Sequence, residues 1–216
     1  TCLALASAEG NFNMVSELLG HDVHVNFRDR WGNTALSDAV YAGHTKVASK
    51  LYECGGRLGF DDSKMAITLN ELALHGNLES VKLHLAVGCD PNAVDYDGRN
   101  ALHVAAAEGN ILIAKALIAA RADINAQDRW QVTPLRDSVR EGHLQVSQLL
   151  HDHGGELKYV EAQESIELCE MARQGNVERL KMLLSYGCDG GAAGDDQRTA
   201  LHVAASEGNM TVVSEL

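Results

Sequence analysis

The sequence is poor in several residue types that mark other classes of protein. It has only 2 prolines, and aromatic residues make up 5% of its 216 positions. Its 5 cysteines include no CxxC pair, so a disulfide framework is not indicated and we expect reduced thiols in the cytoplasm or the nucleus. No apolar run approaches the length of a membrane span, so membrane insertion is not expected.

Positive charge is also scarce. Lys and Arg number 18 and Asp and Glu number 30, which gives a net charge of −12. The sequence contains no run of Lys or Arg. An acidic surface repels phosphate backbones, so nucleic acid is not an expected partner. The apolar fraction of 45% nevertheless suffices for a core of closely packed helices.

What the sequence has in abundance is repetition. The stretch "GRNALHVAAAEGN" at 98–110 returns as "QRTALHVAASEGN" at 197–209. A step of 33 residues from the glycine of "AEGN" meets glycine every time, and a leucine stands seven residues before each one. The seven glycines are Gly10, Gly43, Gly76, Gly109, Gly142, Gly175 and Gly208.

One repeat is interpreted as a pair of antiparallel helices. The segment "TALHVAA" predicts a short first helix whose Leu and Ala face inward, with Thr capping its start. Glycine then ends this helix in the left-handed conformation, and "ILIAKALIAARA" has the apolar spacing of a second helix. Such a pair cannot bury its own apolar faces, so repeats must stack on their neighbours.

These units resemble the ankyrin repeat, whose pattern runs roughly D-x-x-G-x-T-P-L-H-x-A-A-x-x-G-H. The matching segments are "DRWGNTALSDAVYAGH" (29–44), "DYDGRNALHVAAAEGN" (95–110), "DRWQVTPLRDSVREGH" (128–143) and "DDQRTALHVAASEGN" (195–209). In that family the Thr and His of the TPLH box tie neighbouring units together by hydrogen bonds. Here only His103 and His202 occupy the His position.

Repeats agree best at a distance of 99 residues, which indicates duplication of a three-repeat block. The "DRW" segments at 29–31 and 128–130 correspond, as do "ITLNELALHGN" (67–77) and "IELCEMARQGN" (166–176). The last two lack the Asp and Gly of the turn, and we expect the degenerate units at 60–92 and 159–188 to be the weakest. The pattern is similar to ankyrin tails of glutaminase-type and asparaginase-type amidohydrolases and of plant-type potassium channels.

The resemblance implies an all-α ankyrin-repeat solenoid forming a single domain over 1–216. The expected units are 1–28, 29–61, 62–94, 95–127, 128–160, 161–193 and a partial unit at 194–216. We expect the chain to be a fragment of a longer protein, because it begins within a first helix and stops within a second one.

Catalytic and metal-binding patterns are weak. His151 and His153 flank Asp152 in the most metal-like segment, but no Cys pair completes a zinc site, so surface histidines are the favoured interpretation. Cys169 replaces a box His and is expected to be buried and inert. No nucleophile elbow, phosphate loop or zincin motif occurs, so neither a catalytic residue nor a metal or cofactor is predicted.

Binding of another protein, or of another domain of the parent chain, is therefore the predicted function. In ankyrin repeats the variable positions of turns and first helices line the concave face. On this chain they are Arg30, Trp31, Asn33, Tyr41, Tyr96, Asp97, Arg99, Glu108, Arg129, Trp130, Arg140 and Glu141.

Two features of this surface leave alternatives open. Trp31 and Trp130 are either interface anchors or residues that pack across the turn. Glu9, Glu108 and Glu207 recur at one helix position and form either a solvated row or an acidic stripe that selects a basic partner.

Overall fold

The chain is all-helical in the part that the structure describes. The computed structural model describes residues 1–59, 62–158, 163–194 and 196–216. These residues form fourteen α-helices and no strand, apart from one isolated antiparallel bridge between Ala193 and Thr199. Of the helices within these ranges, none has the length and apolar character needed to cross a membrane. The predicted all-α fold class is confirmed.

The helices come in pairs, and two or three residues join the first helix of each pair to the second. Their bounds are α1 Cys2–Ala8, α2 Phe12–Leu19, α3 Ala35–Tyr41, α4 Thr45–Glu53, α5 Asp62–Leu74, α6 Leu78–Ala86, α7 Ala101–Ala107, α8 Ile111–Ala119, α9 Pro134–Arg140, α10 Leu144–Asp152, α11 Gln163–Gln174, α12 Val177–Ser185, α13 Ala200–Glu207 and α14 Met210–Val213.

The contacts divide the chain into two compact units. The first unit comprises Thr1–Tyr96, Asn100–Ala105 and Leu112–Asp123. The second comprises Asp97–Arg99, Ala106–Ile111 and Ile124–Leu216. The single domain over 1–216 and its seven repeat boundaries stay a prediction.

Four first helices, α1, α3, α7 and α9, start at a side-chain cap, and in three of them the cap is the predicted threonine. The Oγ1 atoms of Thr1, Thr34 and Thr133 accept hydrogen bonds from the backbone N–H three residues further on, at 3.1, 3.3 and 3.4 Å. Asn100 does the same for α7 through Oδ1, at 3.2 Å from the nitrogen of His103. A cap satisfies N–H groups that have no partner within the helix.

Each first helix ends at the predicted glycine. The seven repeat glycines have φ between +69° and +81°, the left-handed region that only glycine adopts without strain. The chain reverses there, and the second helix of the pair then begins.

Within each unit, successive pairs pack in sequence order. In the first unit α1 packs against α2 and α3, α4 packs against α2 and α3, and α6 contacts α3, α4 and α5. In the second unit α9 packs against α10, α11 against α12 and α13, and α14 against α12 and α13. First helices therefore contact first helices, and second helices contact second helices, as stacked repeats require.

The leucine of each first helix faces the core in six of the seven repeats. Leu36, Leu102, Leu135 and Leu168 are at most 1% exposed, whereas Leu201 is 43% exposed. The expectation that this leucine always faces inward is therefore wrong for α13. Leu3 and Leu69 are also buried, at 4% and 1% exposed.

The two degenerate units differ from the rest in the length of their first helix. Helices α5 and α11 have 13 and 12 residues, against 7 or 8 in the other first helices. Without the Asp and Gly of the turn, nothing stops the helix from starting earlier. Parts of the similar segments that precede them, at 60–61 and 159–162, lie outside the described residues.

An asparagine at one position of the loop joins neighbouring loops. Asn26 donates from Nδ2 to the carbonyl of Gly55 at 2.9 Å and accepts the N–H of Arg57 at 2.6 Å. Asn125 makes the equivalent pair with Gly154 and Glu156, at 2.9 and 2.8 Å. The same position holds Gly59 and Lys158 ahead of the degenerate units, so this link is missing there.

Candidate partner-binding surface

The turn before α3 presents an exposed tryptophan. Asp29 Oδ1 accepts the backbone N–H groups of Trp31 and Asn33, both at 2.8 Å, and Gly32 between them has a φ of +84°. These hydrogen bonds close the turn, and Trp31 is 67% exposed. The guanidinium of Arg30 lies over the Trp31 ring, 3.9 Å from its centroid.

The turn before α9 repeats this arrangement in the second unit. Asp128 Oδ1 accepts the N–H groups of Trp130 and Val132, both at 2.9 Å. Trp130 is 51% exposed, and the guanidinium of Arg129 lies 4.1 Å from its ring centroid. The same guanidinium pairs with Asp97 at 2.7 Å, which orients the Arg–Trp stack.

Both tryptophans thus project from a turn toward solvent and carry an arginine on one face. Burial against the neighbouring repeat would explain a structural role, but both tryptophan residues are more than half exposed. This exposure agrees with interface anchors, since Trp and Arg are enriched among binding hot spots, and the role stays a prediction.

Other predicted contact residues divide into exposed and internally engaged side chains. Tyr96 is 85% exposed and Tyr41 is 51% exposed. Asn33 is half-buried, and Glu108 and Glu141 are exposed. Glu9 and Glu207, the other members of the glutamate row, are exposed as well.

Arg99 and Arg140 hold a buried carboxylate. Arg99 Nη2 lies 2.8 Å from Asp137 Oδ2, and Arg140 Nη2 lies 3.0 Å from Asp137 Oδ1. The Asp137 side chain is 1% exposed, so burial raises its pKa, and the two guanidinium groups partly offset this effect. Arg99 therefore supports the fold, and a substitution there would leave a buried charge with one partner fewer.

A groove lined by arginines lies along α11, and of its lining residues the sequence predicted only Arg99, Trp130 and Arg140 as contact residues. Three adjoining depressions of about 420, 420 and 300 Å³ run beside this helix. Arg136 and Arg140 line the first two, and Ile166 lines the second and third. Comparison of the two blocks could have found the groove, because Ser37 and Tyr41 of the first block correspond to Arg136 and Arg140 of the second.

Cys169 is less buried than expected. The thiol is half-buried, at 3.9 Å from the carbonyl of Arg198, and lines the third depression. The expectation of a buried cysteine is wrong, because part of the side chain faces the third depression beside α11. Burial and the Asp196 carboxylate both raise the pKa of Cys169, which disfavours the nucleophilic thiolate.

The histidines of the metal-like segment have separate contacts. The ring of His151 stacks on Tyr186 with centroids 4.2 Å apart. His153 donates from Nδ1 to the carbonyl of Leu149 at 2.8 Å. Within the described ranges there is no group of three or more His, Cys, Asp or Glu placed to hold a metal ion.

Comparison with known proteins places the chain among repeat proteins. A family model for ankyrin repeats in three copies matches residues 1–62 and 69–160, and a model of the single ankyrin repeat matches 196–216. These models leave 63–68 and 161–195 unmatched. The first gap lies within the degenerate unit at 60–92, and the second covers most of the degenerate unit at 159–188 and continues to 195.

Individual relatives match over about half of the chain. An L-asparaginase of Dirofilaria immitis is 32% identical over 103 residues, which is 48% of this chain and 18% of the relative. Potassium channel SKOR of Arabidopsis thaliana is 32% identical over 108 residues, which is 49% of this chain and 12% of the channel. BCL-6 corepressor-like protein 1 of Homo sapiens is 31% identical over 108 residues, which is 50% of this chain and 6% of the relative.

The matched region thus spans less than a fifth of the length of any of these relatives, so the likeness concerns their repeats. The left-handed glycines, the capped first helices and the stacked pairs agree with the family matches, which cover well over half of the sequence. The chain belongs to the ankyrin-repeat family.

Proposed function

We propose that the chain is a protein-binding module that contacts its partner through the turns and the exposed positions of its first helices. Ankyrin repeats generally serve as interaction modules, so the coarse function follows from the family. The observation that supports the specific surface is the pair of exposed Arg–Trp stacks at Trp31 and Trp130.

The chemistry of the surface fits this role. An indole and a guanidinium together offer a large contact area at little cost in side-chain entropy, since the stack is already formed in the unbound protein. Tyr96 adds an amphipathic ring that is almost fully exposed. We also place the protein inside the cell, where its 5 thiols would persist.

A second candidate is an assembly or regulatory segment of a larger enzyme or channel, with contacts to other parts of the same chain or to other subunits. The likeness to an L-asparaginase and to potassium channel SKOR favours it, because in each case the matched repeats are a small part of a longer protein. Catalysis is not proposed for this region in either case.

Affinity capture with quantitative mass spectrometry tests the proposed surface. The bait is the chain itself, as wild type and as Trp31→Ala/Tyr96→Ala/Trp130→Ala. Arg99 is left intact because its loss would disturb the buried Asp137. A matched control removes three exposed apolar side chains from second helices, as Leu112→Ala/Leu144→Ala/Met210→Ala.

Partners retained by wild type and control but lost by the aromatic variant support the proposal. Each hot-spot truncation costs about 2 kcal/mol or more, so the triple variant should lose binding almost completely. Equal capture by all three baits would contradict it. Cross-links between the repeats and another part of the parent chain would favour the second candidate.

A further inference from the structure

Exposed apolar side chains of the first block gather on the first helices α3 and α5. Ile67 and Leu74 are 46% and 48% exposed. They are seven residues apart with Glu71 between them, so the three lie on one face of α5. Tyr41, the last residue of α3, is 51% exposed, and its side chain is hydrogen-bonded to Thr68 of α5. We call this surface the α5 patch and define it by five residues: Asp38, Tyr41, Ile67, Glu71 and Leu74.

The two carboxylates of the α5 patch have no ion-pair partner within the portion of the chain described above. Asp38 is half-buried and Glu71 is exposed. Burial raises the pKa of Asp38, the carboxylate of Asp29 raises it further, and the amino group of Thr1 offsets part of this effect. Along α5 the only Lys or Arg is Lys64, seven residues before Glu71. The patch therefore carries negative charge that its own residues do not neutralise.

The corresponding carboxylates of the second block, 99 residues further on, are each held by an arginine. Arg140 Nη2 lies 3.0 Å from Asp137 Oδ1. Arg173 Nη1 lies 3.1 Å from Glu170 Oε2. Each arginine stands three residues after its carboxylate, on the same face of the helix. The fold thus accommodates a guanidinium beside both of these carboxylate positions.

The first block has apolar or aromatic residues at the two arginine positions. Tyr41 corresponds to Arg140, and Leu74 corresponds to Arg173. The carboxylates of the α5 patch therefore lack the guanidinium groups that their counterparts hold. Because both blocks form the same helix pairs, the fold requires neither choice of residue, and the exchange changes the chemistry of the surface.

The α5 patch thus combines exposed apolar area with unpaired carboxylates. Burial of the apolar side chains by a partner would stabilise a complex, but it would also remove water from the carboxylates, which costs free energy. A cation supplied by the partner offsets this cost, as the internal arginines do in the second block. A second copy of this chain is a poor source of that cation, because two surfaces of net charge −12 repel each other.

We propose that the α5 patch binds a segment of a partner protein that carries an arginine or lysine beside apolar side chains. The cation of the partner contacts Asp38 and Glu71, and its apolar side chains pack against Tyr41, Ile67 and Leu74. This proposal rests on the protein-binding function proposed above and names the chemistry of one partner segment. It also assigns the two blocks different specificities, because the carboxylates of the second block already hold arginines.

Selection from a phage-displayed library of short random peptides tests the proposal. We expect enrichment of Arg or Lys next to Leu, Ile or Phe. A selected peptide, labelled with fluorescein, then serves as the probe for fluorescence polarisation. The variant Tyr41→Arg/Leu74→Arg, which carries the residues of the second block, should bind it about tenfold more weakly or worse. Glu71→Gln keeps the shape of the side chain and removes its charge, and it should weaken binding as well.

The matched control Leu112→Arg/Leu144→Arg places two arginines at exposed apolar positions of second helices. It should retain the wild-type affinity, and far-UV circular dichroism should show that all variants are folded. Equal loss in the control would mean general charge repulsion of the peptide and would overturn the proposal. Enriched peptides without Arg or Lys, or unchanged affinity in the variant Tyr41→Arg/Leu74→Arg, would overturn it too.

Failure of this proposal is distinguishable from failure of the proposed function. Peptides that depend on Trp31 or Trp130, and not on the α5 patch, would leave the protein-binding function standing while removing the patch from it. If no peptide is enriched, this proposal is overturned, and the affinity capture described above still decides the protein-binding function. Sedimentation equilibrium adds a further readout, since a dimer that Tyr41→Arg/Leu74→Arg dissociates would make a second copy the occupant and overturn the proposal.

Discussion

At the scale of the residue, the glycine that ends a first helix meets two requirements. Gly109 has a φ of +70°, which a side chain opposes. A Cβ on it would also lie 2.5 Å from Nδ1 of His143, whose Nε2 donates to the carbonyl of Ala107 at 2.9 Å. The positive φ is set by this segment of the chain, whereas the lack of space for a Cβ is caused by His143 of the next repeat.

We expect Gly109→Val to destabilise the protein by about 3 kcal/mol, from backbone strain together with overlap on His143. Gly142 is the matched control, because it has a φ of +81° but nothing within 4 Å of an added Cβ. Urea denaturation should show that Gly109→Ala costs more than Gly142→Ala. Equal costs would show that the contact with His143 does not matter.

Replacement of His143 by asparagine provides the converse test. Asn209 takes this role beside Gly175, where an added Cβ would have 3.4 Å to its Oδ1. The double variant Gly109→Ala/His143→Asn should therefore recover part of the stability lost in Gly109→Ala. If the stability lost in the double variant equals the sum of the losses in the two single variants, overlap with His143 is not the cause of the cost at Gly109.

His84 is a buried ionisable residue of the first degenerate unit. It is 4% exposed, Nδ1 donates to the carbonyl of Ser80 at 2.7 Å, and Nε2 has no hydrogen-bond partner among the described residues. Burial lowers the pKa of His84 in the folded state, so the unfolded state takes up the proton more readily as the pH falls through about 6.5. The stability that depends on a neutral His84 is therefore complete above about pH 6.5 and is lost as the pH falls below it.

The variant His84→Leu should remove this part of the acid sensitivity. Leucine is present at the equivalent position 183, where it is fully buried. The free energy of unfolding, measured between about pH 7 and pH 5, should fall less steeply for His84→Leu than for wild type. Replacement of the exposed His75 is the control, and it should leave the slope unchanged.

At the scale of the element, the degenerate units gain helix length but lose links to their neighbours. Helices α5 and α11 extend toward their N-termini, and Ile67 and Ile166 become 46% and 62% exposed. The loop asparagine is absent before both units. At position 59 it is also sterically excluded, because a Cβ on Gly59 would overlap the carbonyl oxygen of Gly32.

Hydrogen exchange measured by mass spectrometry should therefore be faster in α5, α6, α11 and α12 than in α3, α4, α8 and α9. The stability of a repeat is the sum of its own folding and its contacts with neighbours, and the loop asparagine that joins neighbouring loops is absent before both degenerate units. Slowest exchange in α5 or α11 would show that the longer helix more than compensates.

At the scale of the whole molecule, the net charge of −12 acts against compact folding. Exposed carboxylates repel one another, and salt screens this repulsion over a Debye length of about 10 Å at 0.1 M. The buried pair of Arg99 and Asp137 is screened far less, because Asp137 is 1% exposed.

We expect the melting temperature to rise between about 10 and 150 mM NaCl, because relief of the general repulsion exceeds the weakening of exposed ion pairs, each worth about 0–1 kcal/mol. The measurement is thermal unfolding followed by circular dichroism. A fall over this range would mean that surface pairs such as Lys181–Glu215 outweigh the repulsion.

How far the sequence predicted these features depended on whether their causes are local. The left-handed glycines, the threonine caps and the helix pairs were predictable, because each depends on a few adjacent residues repeated at a fixed period. The engagement of Arg99 by Asp137 was not, because the two are 38 residues apart in the chain. The burial of His84 and the exposure of Leu201 and Cys169 likewise depend on which neighbours cover them.

The sequence by itself determined the family, the all-helical class and the glycine at which each first helix ends, because period and local conformational preference are properties of the linear chain. Only the tertiary structure decided which arginines hold a buried carboxylate, how far each tryptophan is exposed, and that His84 is buried. These features arise from packing between repeats, where burial and partners are set by residues far away in the sequence.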